Sequence, residues 1–174
     1  MPSFAADLVT LPGGHLIALD YAPNCDVAAD SAYAPGSALA AAYARHRTAL
    51  PDGGAIPEAA AKYFSPYFLW SRLPTPASDE AISSAVLPAF EDYLRGYLEL
   101  VRTAAPLQDQ RALEAVREAQ LSYASYRGGQ DPARPMLTRL FGESFAERLI
   151  AEVLFDLPRV LQSDADGGVR DSAE

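Results

Sequence analysis

Asp131 stands in YRGGQDPARPMLTRLFG, residues Tyr126–Gly142, with Arg127 four positions before it and Pro132 directly after. An aspartate followed by proline starts a helix well, because its side chain can accept from the first unpaired amides and proline fits the first turn. The same carboxyl can also hold a proton for transfer, with Arg127 orienting an acidic group of a ligand. Both readings stay open, since a capping side chain can still face a pocket. A second carboxyl, Asp7, opens the apolar run DLVTL. Pointing inward from a sheet it would be protonated more readily, because burial disfavours its charge. Pointing outward it is only the polar edge of a strand. Arg72 closes the aromatic run in LWSRLP. It can either snorkel to the surface or grip a ligand carboxylate with both arms of its fork.

Other reactive types are scarce. There is one cysteine, Cys25, and there are two histidines, His15 and His46. A disulfide framework, a multi-cysteine zinc or iron–sulfur centre and a histidine-rich metal site are thereby excluded as readings. Redox chemistry would have to draw on a bound organic molecule or an external donor. Cys25 has no C-x-x-C context, and His15 reads as a core histidine; neither receives a role.

These residues need elements to place them. DLVTL and HLIALDY flank Pro12–Gly14, which predicts a β-hairpin. Alternation would put His15, Ile17 and Leu19 on one face and Leu16, Ala18 and Asp20 on the other. Aromatic density predicts a buried strand around Phe68–Arg72. Ser37–Leu50 reads as a helix capped by Ser37. Ser83–Arg102 is the clearest helix, with Val86, Phe90, Tyr93 or Leu94, Tyr97, Leu98 and Val101 inward. Gln108–Arg127 follows, with Leu113, Val116, Leu121 or Gln120, and Ala124 or Tyr123 inward, and Gly128–Gly129 ending it. Pro132–Phe141 and Ser144–Leu157 are two more helical segments. Strands first and helices after predict an α+β fold in which helices cover an antiparallel sheet. Residues 1–160 form one domain in this reading. The polar stretch from Gln162 reads as a disordered tail.

The chain has 174 residues, 49% of them hydrophobic, and a net charge of −9. That size suits one domain with a real core. The charge argues against nucleic acid, whose phosphates need clustered Lys and Arg. No run of 18 apolar residues predicts a membrane span. The first residues have neither the basic nor the apolar region of a signal peptide, so a cytoplasmic setting is expected.

DLVTLPGGHLIALDYAP, FSPYFLWSRLP, LPAFEDYLRGYLEL, YRGGQDPARPMLTRLFG and the final EVLFDL come in this order. Together, over residues 5–158, they resemble the ferredoxin-dependent bilin reductases, and most of all their phycoerythrobilin-forming members. The resemblance implies an α/β/α sandwich with a central antiparallel sheet and an open-chain tetrapyrrole between sheet and C-terminal helices. It implies no bound metal or flavin, and single electrons taken from a reduced [2Fe–2S] ferredoxin through bilin radicals. The implied reaction is reduction of 15,16-dihydrobiliverdin to phycoerythrobilin. Asp7 falls on the family's central-sheet aspartate and Asp131 on its second aspartate. Arg127 and Arg72 fall on arginines implied to meet the substrate. Ferredoxin and the bilin are the implied partners, with other bilin-pathway enzymes as further candidates, and Arg127, Arg134, Arg139 and Arg148 form a candidate docking patch for ferredoxin. The match begins almost at Met1, so the N-terminal strands of the family are expected to be missing. Gln130 stands where other members have Asn, and Pro135 where Gly is common. The alternatives are a non-catalytic bilin-binding or chaperone-like module, or a reductase making a different bilin from biliverdin.

Overall fold

The computed structural model describes residues 1–24, 26, 27, 30–74 and 79–159. Cys25 and the stretch from Gln162 read above as a tail lie outside the described residues. The chain divides into two compact units, Met1–Asp109 and Gln110–Glu174, where one domain was expected over residues 1–160.

The first unit is built on a three-stranded antiparallel sheet of order β1-β2-β3, comprising β1 (Ser3–Leu11), β2 (Gly14–Ala22) and β3 (Leu69–Pro74). The expected hairpin is present and longer than DLVTL suggested: β1 pairs with β2 from Ser3 opposite Ala22 to Leu11 opposite Gly14. Gly14 closes it at φ +151, where any Cβ would run into the Leu73 carbonyl oxygen. Glycine alone tolerates both conditions. β3 pairs along the other side of β2, Leu19 with Leu69 and Gly14 with Pro74.

Helices cover one face of this sheet. α1 (Ala38–His46) is capped by Ser37, whose hydroxyl accepts from the Ala40 amide at 3.1 Å, as expected. α2 is the single turn Glu58–Ala61. α3 (Asp79–Ala81) passes through a π-helical turn, Ile82–Val86, into α4 (Leu87–Thr103), with Pro88 just after that turn; proline has no N–H to continue the helical ladder, and the wider turn lies where that bond is missing. α4 packs on β1, β2 and α1. Its Tyr93 and Ala89 are fully buried among Ile17, Leu19, Tyr21, Leu39 and Leu69. Tyr21 meets Tyr93 and Tyr97 edge-on, with centroids 6.2 and 5.3 Å apart. Leu98 and Val101, read as inward from their spacing, are exposed. Tyr97 and Leu100, on either side of Leu98, still pack on the core cluster, so Leu98 and Val101 lie on a flank of α4 that nothing among the described residues covers, and periodicity carries no information about how wide the covered stripe is.

α1 and α4 are also clamped by a polar cluster. Asp92 Oδ2 lies 2.8 Å from His46 Nε2 and 2.5 Å from Arg45 Nη1, and Arg95 reaches Oδ1 at 3.4 Å. His46 is buried, and its hydrogen bond is the main reason the Asp92 carboxyl is held below its ordinary pKa.

The second unit is helical. α5 (Gln110–Gly129) ends at the glycine pair, as expected. α6 (Arg134–Phe141) and α7 (Glu143–Leu149) follow, and α7 runs into a π-helical turn, Ile150–Leu154. The last expected helix, Ser144–Leu157, is thus interrupted by a change of pitch. Leu137, Ala146 and Ile150 form a small core, with Ala133, Leu149 and Phe155 against it. Leu113, read as inward, is exposed, whereas Ala124 is buried. The described chain is therefore the expected α+β: an antiparallel sheet and covering helices, with further helices after it.

Candidate functional site

Residues paired across neighbouring strands point to the same face. Asp7 pairs with Ala18 and Ala18 with Trp70; Val9 pairs with Leu16 and Leu16 with Arg72; Ala5 pairs with Asp20. Asp7, Asp20, Trp70 and Arg72 therefore share one sheet face. It is opposite to the face carrying Ile17, Leu19 and Tyr21, which packs on α4. Asp7 and Arg72 are exposed on it. The inward, buried reading of Asp7 is thus corrected: β1 is an edge strand among the described residues, and a carboxyl there stays in water. From strand spacing and rise, the Cα atoms of Asp7 and Arg72 lie roughly 12 Å apart, with β2 between them.

Aromatic rings form one end of this face. Phe64 stacks on Phe68 with centroids 4.1 Å apart and planes at 11°, and Phe68 continues to Trp70 at 6.2 Å and 10°. The Arg72 guanidinium sits 5.3 Å from the Trp70 ring centroid, a cation–π distance. Gly53 makes room for the indole. A Cβ at Gly53 would overlap the Trp70 ring, and the Gly53 amide donates to the Trp70 carbonyl at 3.1 Å. Beside the stack lies an open cavity of about 620 Å³, lined by Tyr43, Arg47, Phe64, Phe68 and Trp70 among others; neither Asp7 nor Arg72 lines it.

Asp20 is the residue the sequence reading passed over, noting only its strand face. It is 1% exposed and accepts three hydrogen bonds: from the Tyr21 amide at 2.9 Å, the Ser65 amide at 2.8 Å and the Ser65 hydroxyl at 2.5 Å. Burial pushes its carboxyl up to about 6, against the lowering effect of those bonds. The available signal was an aspartate inside HLIALDY, an unexpected type in a buried strand. Its partner, however, is 45 positions away in sequence.

In the second unit, Asp131 is buried at 8% exposure. Its Oδ1 accepts from the Ala133 amide at 2.7 Å, and its carbonyl accepts from the Arg134 amide at 3.2 Å. The cap reading is met in modified form: Asp131 holds the turn before α6, which begins two residues later than the predicted Pro132. One carboxylate oxygen remains uncommitted to that turn. Arg127, in the last turn of α5, lies 6.0 Å from the Phe155 ring centroid, and its buried Nε has no hydrogen-bond partner among the described residues. A buried guanidinium nitrogen without an acceptor is costly, which marks it as a group with binding capacity to spare. No ion pair joins it to Asp131 among the described residues. Of the expected docking arginines, Arg134 is committed to Glu147 and to the Gly128 carbonyl, while Arg139 and Arg148 are exposed.

The structure thus brings Asp7 and Arg72 onto one face of the first unit, and Arg127 and Asp131 to the end of α5 in the second. Among the described residues no group of acidic, histidine or cysteine side chains could hold a metal, and no helix is long and apolar enough to cross a membrane.

The family model described as "Ferredoxin-dependent bilin reductase" matches residues 1–156. A phycoerythrobilin:ferredoxin oxidoreductase of Parasynechococcus marenigrum (strain WH8102) is 48% identical over 158 residues, 90% of this chain and 60% of that protein. The protein of the same name from Nostoc punctiforme is 43% identical over 163 residues, 92% of this chain and 62% of its own length. Among solved structures, phytochromobilin synthase from tomato in complex with biliverdin superposes with a TM-score of 0.78 at 28% identity, covering 90% of this chain and 56% of that one. The chain spans about three-fifths of the length of the curated relatives it matches.

Proposed function

The chain belongs to the ferredoxin-dependent bilin reductase family, and from that premise we propose that it binds an open-chain tetrapyrrole against the exposed sheet face and reduces it with electrons from ferredoxin. The substrate we propose is 15,16-dihydrobiliverdin and the product phycoerythrobilin, in a cytoplasmic setting. The observation that carries this reading is the register that sets Asp7, Trp70 and Arg72 on one face of β1-β2-β3. An acid, an aromatic surface and a guanidinium lie there within the span of a four-ring molecule with propionate arms.

The division of labour follows from the chemistry. No metal or flavin is proposed for the protein itself; reduced [2Fe–2S] ferredoxin supplies the electrons one at a time. The first electron makes the conjugated pyrrole system a radical and a stronger base, and the second pairs the odd electron and leaves a closed-shell anion, so a proton follows each. Conversion of dihydrobiliverdin to phycoerythrobilin takes up two electrons and two protons. Asp7 from the sheet and Asp131 from the turn before α6 are the proposed donors. A carboxyl suits that task where it is held within reach of the carbon that must take the proton. Arg72 would take a propionate in a bidentate pair. The unpartnered Arg127 Nε supports a second acidic group of the substrate as its acceptor.

The test is anaerobic incubation with reduced ferredoxin and 15,16-dihydrobiliverdin, followed by absorbance. The spectrum should move to that of phycoerythrobilin. A bound, shifted bilin spectrum that never changes on reduction would mean a binding module without catalysis. No response to bilin at all would end the reading.

A further inference from the structure

Asp20 accepts no bond from any lysine, arginine or histidine among the described residues; its carboxyl is used up by Tyr21 and Ser65. Those bonds are part of a closed loop. The Ser65 hydroxyl accepts from the Tyr67 amide at 3.0 Å, the Tyr67 carbonyl accepts from the Tyr93 hydroxyl at 2.8 Å, and the Tyr93 carbonyl accepts from the Tyr21 hydroxyl at 2.7 Å. Tyr21 then returns to Asp20. The loop ties β2, the segment before β3, and α4 together, and it passes from one sheet face to the other through the Asp20–Tyr21 pair.

Its anchor point matters. Ser65 follows Phe64 and precedes Phe68, and sheet pairing of β3 with β2 starts only at Leu69. Up to that residue, Asp20 is the side chain that binds the backbone of this segment to the sheet. We propose that Asp20 is a positioning residue for bilin binding: acting through Ser65, it holds the Phe64–Phe68–Trp70 stack at the end of the face that carries Asp7 and Arg72. This rests on the bilin reading of that face, which supplies the ligand.

A carboxyl is the group this geometry requires. Two backbone N–H groups, of Tyr21 and Ser65, point at its two different oxygens. Asparagine would set its NH2 against one of them and leave a buried donor unpaired. A protonated acid, by contrast, can donate from Oδ1 to the Ser65 hydroxyl and still accept both amides, which is consistent with a carboxyl whose burial pushes it up to about 6.

Trp70 is the single tryptophan of the chain, so its fluorescence reports on the stack. The experiment compares acrylamide quenching of Trp70 and biliverdin affinity by absorbance titration, in the full chain, with far-UV circular dichroism confirming the fold. Asp20→Asn should raise the quenching constant about twofold and weaken biliverdin about tenfold, the scale of one unpaired buried donor. Ser65→Ala, which keeps both backbone bonds, should move both readouts less, and Ser65→Thr, which keeps the hydroxyl, should restore them. Parental quenching and parental affinity in Asp20→Asn would overturn the proposal. Should that variant not fold, the Ser65 pair decides: Ala and Thr behaving alike in both readouts overturns it equally. If the parent chain binds neither biliverdin nor 15,16-dihydrobiliverdin, the bilin reading falls, while the quenching arm still decides whether Asp20 holds the stack.

Discussion

The two units treat their buried polar groups differently. In Met1–Asp109, Asp20, Ser65, Tyr21, Tyr93 and Tyr67 spend their hydrogen-bonding capacity on one another, and His46 spends its own on Asp92. The exception is the Ser71 hydroxyl on the core face, which is neutral and cheap to leave unpaired beside a guanidinium. In the helical unit, Arg127 Nε is buried without an acceptor, and Asp131 commits one oxygen to the Ala133 amide. The cores differ in the same sense: a broad cluster under the sheet, against Leu137, Ala146 and Ile150 with a few half-buried neighbours. The first unit spends its polar groups on holding its shape. The second keeps some in reserve, as a surface that meets a charged ligand would.

The sharpest way to break that contrast is at Asp131. Asp131→Asn preserves the bond from the Ala133 amide, because the amide oxygen can accept it. The variant should fold and bind bilin as the parent does, while bilin reduction falls by about 10²- to 10⁴-fold, the usual scale for losing a general acid. Anaerobic single-turnover absorbance measures it. Reduction at the parental rate would make Asp131 a structural cap like Ser37.

Next in size are the cores. Leu19 is fully buried on β2, and Leu19→Ala should cost about 4 kcal/mol in urea unfolding. Ile150 is 2% exposed, but in the smaller cluster, where neighbours can collapse into the space; Ile150→Ala should cost about 2 kcal/mol. Amides of α6 and α7 should likewise exchange with solvent faster than those of β2. Equal costs and equal protection would erase the distinction between the units.

What the sequence made legible follows from how far each interaction reaches. The hairpin, the Ser37 cap, the glycines ending α5 and the turn at Asp131 are local, and residue type alone signals them. Alternation in HLIALDY correctly separated the Ile17–Leu19 face from the Asp20 face. The long bond from Asp20 to Ser65 was not legible, because nothing near either residue encodes the other. The same holds for Asp92, whose His46 partner belongs to another helix. The π-helical turns at Ile82–Val86 and Ile150–Leu154 escaped because a change of pitch leaves the composition helical. The exposure of Leu98 and Val101 escaped for a related reason, and the same reason left the inward and outward readings of Asp7 both open: periodicity assigns faces but not what covers them.

Asp20 also predicts a pH dependence of known sign. Its folded-state value of about 6 exceeds the 3.8 of an unperturbed aspartate, so the folded chain binds the proton more tightly than the unfolded one. The stability from that proton is fully present below 3.8 and is lost as pH rises through about 6, a change of roughly 3 kcal/mol. Asp20→Asn removes this titration. The difference in urea midpoint between parent and variant should therefore narrow as pH rises from 4 to 7, the asparagine chain losing less. A constant difference would mean that the Asp20 carboxyl titrates as it does in water.

Asp92 should do the reverse, and more weakly. Its carboxyl is held below the ordinary value, first by the His46 hydrogen bond and then, with desolvation working against it, by Arg45. The folded chain therefore prefers it charged. Its stabilisation is present above the unperturbed value of 3.8 and fades as pH falls through the lowered one, a window below that of Asp20. Asp92→Asn should cost about 1 kcal/mol at neutral pH, the net worth of one charge-assisted hydrogen bond partly open to solvent. The Arg45 and Arg95 arms are exposed and screened, so 0.5 M salt should reduce that cost only slightly if the buried His46 bond carries it. A cost that disappears in salt would show that the arginines hold α1 to α4. The first unit would then rely at that seam on surface charge, and the contrast with the helical unit would narrow to the Asp20 network.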